Sequence, residues 1–154
     1  MKSYDLESAL PYLLNRAGVG IGQAFSEQLA AFDITLPMWR VLASLLHQDG
    51  QRVTALSDHT SIEVSTLSRL VASMENRGLL CRTVAQDDAR ALSVMLTEQA
   101  RDLTLKIVPL AELYERVALA HISPEEAIIL KRLLTQVYKN IASVAVHAKP
   151  TFGK

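Results

Sequence analysis

Apolar residues at Leu6, Leu10, Leu13, Leu14, Ala17, Ile21, Phe25 and Leu29 recur at three- and four-residue intervals, the spacing of one helical face. This pattern predicts a first helix from Leu6 to about Ala30. Pro11 falls inside it and predicts a first turn that is kinked or separate. Gly18, Gly20 and Gly22 each cost about 0.5–1 kcal/mol relative to alanine in a helix interior. They point to close approach of another helix, or to a widened spot beside a ligand cavity.

After a connector at Phe32 to Leu36, Pro37 opens a second helix carrying Trp39, Val41, Leu42, Leu45 and Leu46, closed by Asp49-Gly50. Trp39 reads most simply as a core or inter-helix anchor. A short helix over Val53 to Thr60 turns inward Val53 and Leu56, and Thr60-Ser61 forms a tight polar turn with Ile62 beneath it. The next helix starts around Glu63 to Ser65 and runs to Arg77, with Leu67, Leu70, Val71 and Met74 on one face. That spacing matches a helix-turn-helix. Gly78 supplies a left-handed helix end. Two short strands follow, Leu80 to Val84 and Ala91 to Leu96, around a polar tip at Gln86 to Arg90. A helix feeding a β-hairpin is the layout of a winged helix-turn-helix.

Thr97 predicts the cap of a long helix through Leu103, Ile107, Leu110, Leu113, Val117 and Leu119, and Pro109 predicts a bend or split near Thr104 to Ile107. Ser123-Pro124-Glu125-Glu126 is a capping box with proline at the first helical position. The last helix carries Ile128, Ile129, Leu133, Leu134, Val137, Tyr138 and Ile141 on a broad apolar face, and the tail from His147 should fray. The fold class is therefore mainly α (α+β), a winged helix-turn-helix with long amino- and carboxy-terminal helices. One domain over 1–154 would divide into a lobe at 37–97 and dimerisation helices at 5–30 and 98–146. Terminal helices with such stripes cannot bury them alone, so the expected partner is a second copy. A two-fold dimer would set two recognition helices about 34–36 Å apart on a palindrome.

The hydrophobic fraction, 49%, is ample for a core, and aromatics are only 5%, so the core is aliphatic. Formal charge is zero, from 16 basic and 16 acidic side chains. Between Pro37 and Leu96, Arg40, Arg52, Arg69, Arg77, Arg82 and Arg90 are matched by Asp49, Asp58, Glu63, Glu75, Asp87 and Asp88. A DNA face must then rest on where the arginines stand, not on a basic total. The single Cys81 excludes an intramolecular disulfide and fits a reducing, cytoplasmic setting. The start M-K-S-Y-D-L-E-S has no signal-peptide core, and no window approaches a transmembrane helix, so no membrane partner is expected. His47, His59, His121 and His147 are scattered without metal-ligand spacing. No nucleophile–base pair or P-loop appears, and Gly18-x-Gly20-x-Gly22 lacks the dinucleotide spacing. Neither enzyme activity, nor a metal, nor a cofactor is expected.

Ser65-Thr66-Leu67-Ser68-Arg69-Leu70-Val71, Glu75, Arg77-Gly78-Leu79-Leu80, Arg82, Asp88-Ala89-Arg90 and Leu96-Thr97 together resemble the MarR family of bacterial transcriptional regulators. Leu36-Pro37-x-Trp39-Arg40-Val41-Leu42 is a further match, and the resemblance spans about residues 5–145. It implies a homodimeric regulator, most often a repressor, that binds double-stranded DNA and is modulated by a small molecule. Ser65, Thr66, Ser68 and Arg69 match recognition-helix positions. Asp88 and Arg90 match a wing pair in which the aspartate orients an arginine into the minor groove; Ala89 replaces an arginine often found between them. Arg77 and Arg82 would contact phosphates or tie the wing to the helix.

The family's effectors lodge between the DNA-binding lobe and the dimerisation helices. The matching positions are Tyr12, Arg16, Gly20, Trp39, Arg40 and His47, with side chains near Leu110 and Tyr114. Arg16 and Arg40 would meet a carboxylate and Trp39 would stack on an aromatic ring. The opening L-x-x-x-L-x-Y-L-L-x-R-A is similar to regulators of aromatic-acid breakdown, some of which respond to aromatic acyl-CoA thioesters. The effector class implied is thus an aromatic carboxylate or aromatic acyl-CoA. Redox sensing through Cys81 lacks support, because the first helix, where some relatives sense peroxide, holds no cysteine. Net neutrality leaves a second reading open: a protein-interaction module on a winged-helix scaffold without DNA binding.

Overall fold

The computed structural model describes residues 4–84 and 92–147. In chain order these form α1 (Leu10–Leu29), a 3₁₀ turn (Ala30–Phe32), α2 (Leu36–His47), α3 (Val53–Thr60) and α4 (Val64–Asn76). Then come β1 (Leu80–Val84), β2 (Leu92–Leu96), α5 (Glu98–Ala118) and α6 (Pro124–His147). The strands pair antiparallel from Leu80 opposite Leu96 to Val84 opposite Leu92, and Gln51 adds a single bridge to Val94. The fold is mostly helical with one small sheet, as the apolar spacing implies. Among the described residues, no single helix is long and apolar enough to cross a membrane.

The two prolines act in different ways. Pro11 falls in the first turn of α1, where a missing N–H has no intrahelical partner to lose, so it starts the helix rather than kinking it. Residues before it make a separate turn, in which the Ala9 N–H donates to the Leu6 carbonyl at 3.1 Å. Pro109 lies within α5, which runs unbroken from Glu98 to Ala118, so the expected split does not occur. Proline removes one bond of the ladder, while buried Thr104 and Ile107 in the preceding turn anchor the helix to the core. The glycines of α1 also divide. A Cβ on Gly22 would come 3.0 Å from Leu36 Cδ2, so α2 does approach closely there, whereas Gly18 and Gly20 meet nothing within 4 Å.

Packing divides the chain into two compact units, one ending at Tyr114 and one beginning at Glu115, with the boundary inside α5. In the first, Leu29 of α1, Leu42 of α2, Leu56 of α3, Leu67 and Met74 of α4, Val94 of β2 and Ile107 of α5 are fully buried in one cluster. Two polar side chains brace this core. Gln51, buried, donates from Nε2 to the carbonyls of Ser44 (2.9 Å) and Gln48 (2.6 Å), closing the end of α2. Asp49 accepts from the Leu96 N–H at 3.1 Å and from Arg101 at 2.5 Å, joining the loop after α2 to β2 and α5. Thr97 caps α5 by accepting from the Ala100 N–H at 3.1 Å.

The second unit is built around α6. Its start is the reciprocal box read from the sequence: the Ser123 N–H donates to Glu126 at 2.9 Å and the Glu126 N–H to the Ser123 hydroxyl at 3.2 Å. Lys131 pairs with Glu115 at 2.5 Å. Ile128, Ile129, Leu133, Tyr138 and Ile141 of α6 are exposed.

Truncating Leu67 to alanine removes a fully buried side chain from the inner face of α4. The expected cost is about 2–5 kcal/mol, read as a lower urea midpoint with an unchanged denaturant slope.

Candidate nucleic-acid interface

The unit α3–turn–α4 is set by local bonds. Ser61 closes α3 in the left-handed region at φ 55°, and the Ser57 hydroxyl donates to the Ile62 carbonyl at 2.6 Å across the turn. On α4, Leu67, Val71 and Met74 are buried and Leu70 is half-buried, while Ser65, Thr66, Arg69, Ala72 and Ser73 are exposed. Ser68 is half-buried, closer to the core than its neighbours. At the far end Gly78, at φ 71°, takes the left-handed position; its N–H donates to Glu75 and the Leu79 N–H to Met74. The Thr97 hydroxyl donates to the Gly78 carbonyl at 2.8 Å, fixing the exit of α4 against the entry of α5.

The amino-terminal end of α4 carries a residue absent from the sequence-derived site. Glu63 is its N-cap: Oε2 accepts from the Ser65 N–H (3.0 Å), the Thr66 N–H (3.1 Å) and the Ser65 hydroxyl. These bonds, the Ser65 hydroxyl foremost, hold the Glu63 carboxyl below its ordinary value of 4.5. Glutamate is not among the preferred N-caps, so composition gave little signal; an acid two residues before Ser-Thr was the only one. Arg69 lies one turn on, its Nε donating to the Ser65 carbonyl at 3.4 Å.

The arginines expected beside the helix are held by protein partners. Arg77 donates to the Asp33 carboxylate and carbonyl, each at 2.7 Å, fastening the end of α4 to the bend before α2. Arg82 of β1 pairs with Glu75 of α4 at 3.0 Å, which ties the wing strand to the helix. Asp88 and Arg90 lie outside the described residues. Cys81 is exposed on β1, opposite Met95.

The expected effector residues separate into groups. Trp39, Arg40 and His47 line an open groove of about 620 Å³ between α2 and the end of α3, together with Ser44, His59 and Ser61. His59 Nδ1 lies 3.4 Å from the Ser44 hydroxyl across it, a pairing the sequence reading did not include. Arg40 also borders a second groove, of about 740 Å³, that runs along α1 past Gly18 and Gly22. Tyr12 and Arg16 line neither of these grooves; they pair with each other on α1, the guanidinium 5.5 Å from the ring centre. Tyr114 packs on Phe25 with ring centres 5.6 Å apart, and Trp39 meets the same ring edge-on at 5.5 Å. Trp39 is therefore both an anchor between helices and a groove wall. Among the described residues, no group of three or more histidine, cysteine, aspartate or glutamate side chains is arranged to hold a metal.

A helix-turn-helix whose second helix feeds an antiparallel hairpin defines a winged helix-turn-helix protein. Residues 32–91 match the model of the MarR family. Among characterised proteins, the transcriptional regulator HosA of Escherichia coli is 26% identical over 130 residues, covering 81% of this chain and 96% of HosA. The regulator TtmR of Methylorubrum extorquens is 28% identical over 103 residues, covering 67% of this chain; the match spans 53% of TtmR, about half its length. A solved MarR family regulator from Silicibacter pomeroyi superposes with a TM-score of 0.80 at 27% identity, covering 89% of this chain and 92% of that one. Sequence and fold agree in their likeness: part of the chain matches the MarR family model and the fold superposes on solved MarR family proteins, relatives that are transcriptional regulators rather than enzymes.

Because the Glu63 carboxyl is depressed, the contribution of its cap is present above 4.5 and is lost only as pH falls through the depressed value. Ser65→Ala removes the leading cause of that shift. An NMR titration of the Glu63 side chain should show its midpoint move up toward 4.5 in the variant. An unmoved midpoint would assign the depression to the backbone N–H groups alone.

Proposed function

We propose that the chain is a homodimeric, ligand-responsive DNA-binding regulator, a repressor that reads a palindromic operator. The observation that carries this is α4 itself. Its apolar face is buried in the core, its opposite face exposes Ser65, Thr66 and Arg69, and both of its ends are pinned. Side chains projected from so rigid a support reach base edges with little loss of conformational freedom. Arg69 is the candidate for a bidentate contact with guanine; Thr66 and Ser68 supply hydroxyls to bases or phosphates, and Ser65 its hydroxyl oxygen to a base. Arg90, aimed by Asp88, would enter the minor groove at the wing. Arg77 and Arg82 keep α4 and the wing strand in register through their ion pairs and offer their remaining N–H groups to phosphates.

Residues 37–97 would form the DNA-binding lobe, with 5–30 and 98–146 as dimerisation helices. Exposed Leu10, Leu13 and Ile21 on α1, and Ile128, Ile129, Leu133 and Ile141 on α6, support burial against a second copy. The groove between α2 and α3 supports a small aromatic acid or its CoA thioester as effector, with Arg40 for the carboxylate and Trp39 for the ring. A ligand there touches Ser61 at the helix-turn-helix turn, so occupancy acts on the orientation of α4 directly.

Fluorescence polarisation with duplex DNA from the region upstream of the gene tests the reading. Tight binding that weakens steeply with salt is expected. Arg69→Ala should lose about 1–3 kcal/mol. Failure to bind any duplex at moderate salt would sink the proposal in favour of a protein-interaction role. Light scattering should give twice the 17.0 kDa chain mass; a monomer would remove the dimer. Trp39 is the single tryptophan, so saturable quenching by an aromatic carboxylate, abolished by Arg40→Ala, reports the effector groove.

A further inference from the structure

We infer that Glu63 and Ser65 form an acceptor-only reading surface at the start of α4, selecting a base that bears an exocyclic amino group, cytosine or adenine, in the major groove. This rests on the reading of α4 as the recognition helix.

A carboxylate has no proton to give, so the contact between the Ser65 hydroxyl and Glu63 Oε2 is donated by Ser65. The one hydroxyl proton of Ser65 is thereby committed, and only lone pairs are left to face outward. The N–H groups of Ser65 and Thr66 also converge on Oε2. Three donors on one oxygen fix the carboxylate, and no described residue donates to the other oxygen, Oε1. Both residues are exposed. What this end of the helix presents to a partner is thus Oε1 of Glu63 and the lone pairs of Ser65 Oγ, all acceptors.

The first residues of a recognition helix are the ones that meet base edges. In the major groove cytosine offers its N4 amino group and adenine its N6 amino group, whereas guanine O6 and N7 and thymine O4 are acceptors. Acceptor set against acceptor is unfavourable, so guanine and thymine are rejected at this position. One turn along, Arg69 is a pure donor suited to guanine. The exposed face of α4 therefore runs from acceptor to donor, and each half-site should pair an amino-bearing base with a nearby guanine. The Glu63 charge has a second consequence. It occupies the helix N–H groups that would otherwise hold a backbone phosphate and repels that phosphate, which lowers non-specific affinity and sharpens discrimination.

The test is selection of duplexes from a randomised pool by the full-length protein and two variants. Glu63→Gln keeps a capping oxygen but turns the outward acceptor into an amide donor. Its preferred base at one symmetric position of each half-site should change from cytosine or adenine to guanine or thymine, with discrimination altered roughly fivefold or more. Glu63→Ser keeps a good cap but falls short of the base, so the preference there should vanish without reversing. Both variants should bind non-specific duplex more tightly than the unaltered protein. Replacing adenine by purine, or cytosine by an analogue lacking the N4 amino group, identifies which base is read. Unchanged base preference in both variants, with thermal melts showing them folded, would overturn this inference while leaving DNA binding intact. If the unaltered protein selects no duplex, the DNA-binding reading itself falls, and this one with it.

Discussion

The carboxylate of Asp49 is the constraint on which the helix-turn-helix half of the molecule depends. One oxygen accepts the N–H of Leu96 and that of Gly50; the other takes Arg101. Three segments far apart in sequence are thereby held at one point: the loop leaving α2, the strand β2 and the first turn of α5. Beside it, Gln51 closes α2 with its side chain, and its carbonyl accepts the Val94 N–H at 2.8 Å. The backbone of the wing is therefore attached to the helix-turn-helix by hydrogen bonds as well as by apolar contact. Hydrogen bonds fix direction in a way that apolar burial does not. That matters in a protein whose proposed task is to hold two reading elements in register.

Charge is organised on the same principle. The chain is neutral overall, and the acids around α4 are placed as partners rather than scattered. Asp33 takes Arg77, Glu75 takes Arg82, and Glu63 takes the amino-terminal N–H groups of α4. In each case an acid orders a group whose position matters. Exposed ion pairs of this kind contribute little to stability; their effect is on geometry. Arg69 stands apart, its one described bond being to a backbone carbonyl of its own helix. A neutral sequence is thus compatible with the role proposed for α4.

Local features were legible in the sequence. The apolar row Leu67, Leu70, Val71, Met74 gave α4, Gly78 gave its end, and Ser123 with Glu126 gave the start of α6. Each depends only on residues within a turn or two, where periodicity and capping chemistry act directly. The prolines were only partly legible, because their effect depends on where the helix begins and on what buries it, which composition alone does not fix. Pro11 proved to be a starter, and Pro109 was tolerated in a helix whose preceding turn is buried. Ties over long separations, such as Arg77 with Asp33 and Arg101 with Asp49, left no local trace. The groove between α2 and α3 was the least legible: Trp39, Arg40 and His47 do converge there, but His59 reaches them only because α3 folds back beside α2.

The bonds at the root of the wing have an evolutionary consequence. Thr97 grips the carbonyl of Gly78, Asp49 grips the N–H of Leu96, and Arg82 grips Glu75, all on the side of the hairpin nearest the helices. Lineages carrying this scaffold can therefore change other surface positions of the strands at little risk to the placement of α4, so long as Asp49, Thr97 and the Glu75–Arg82 pair are kept.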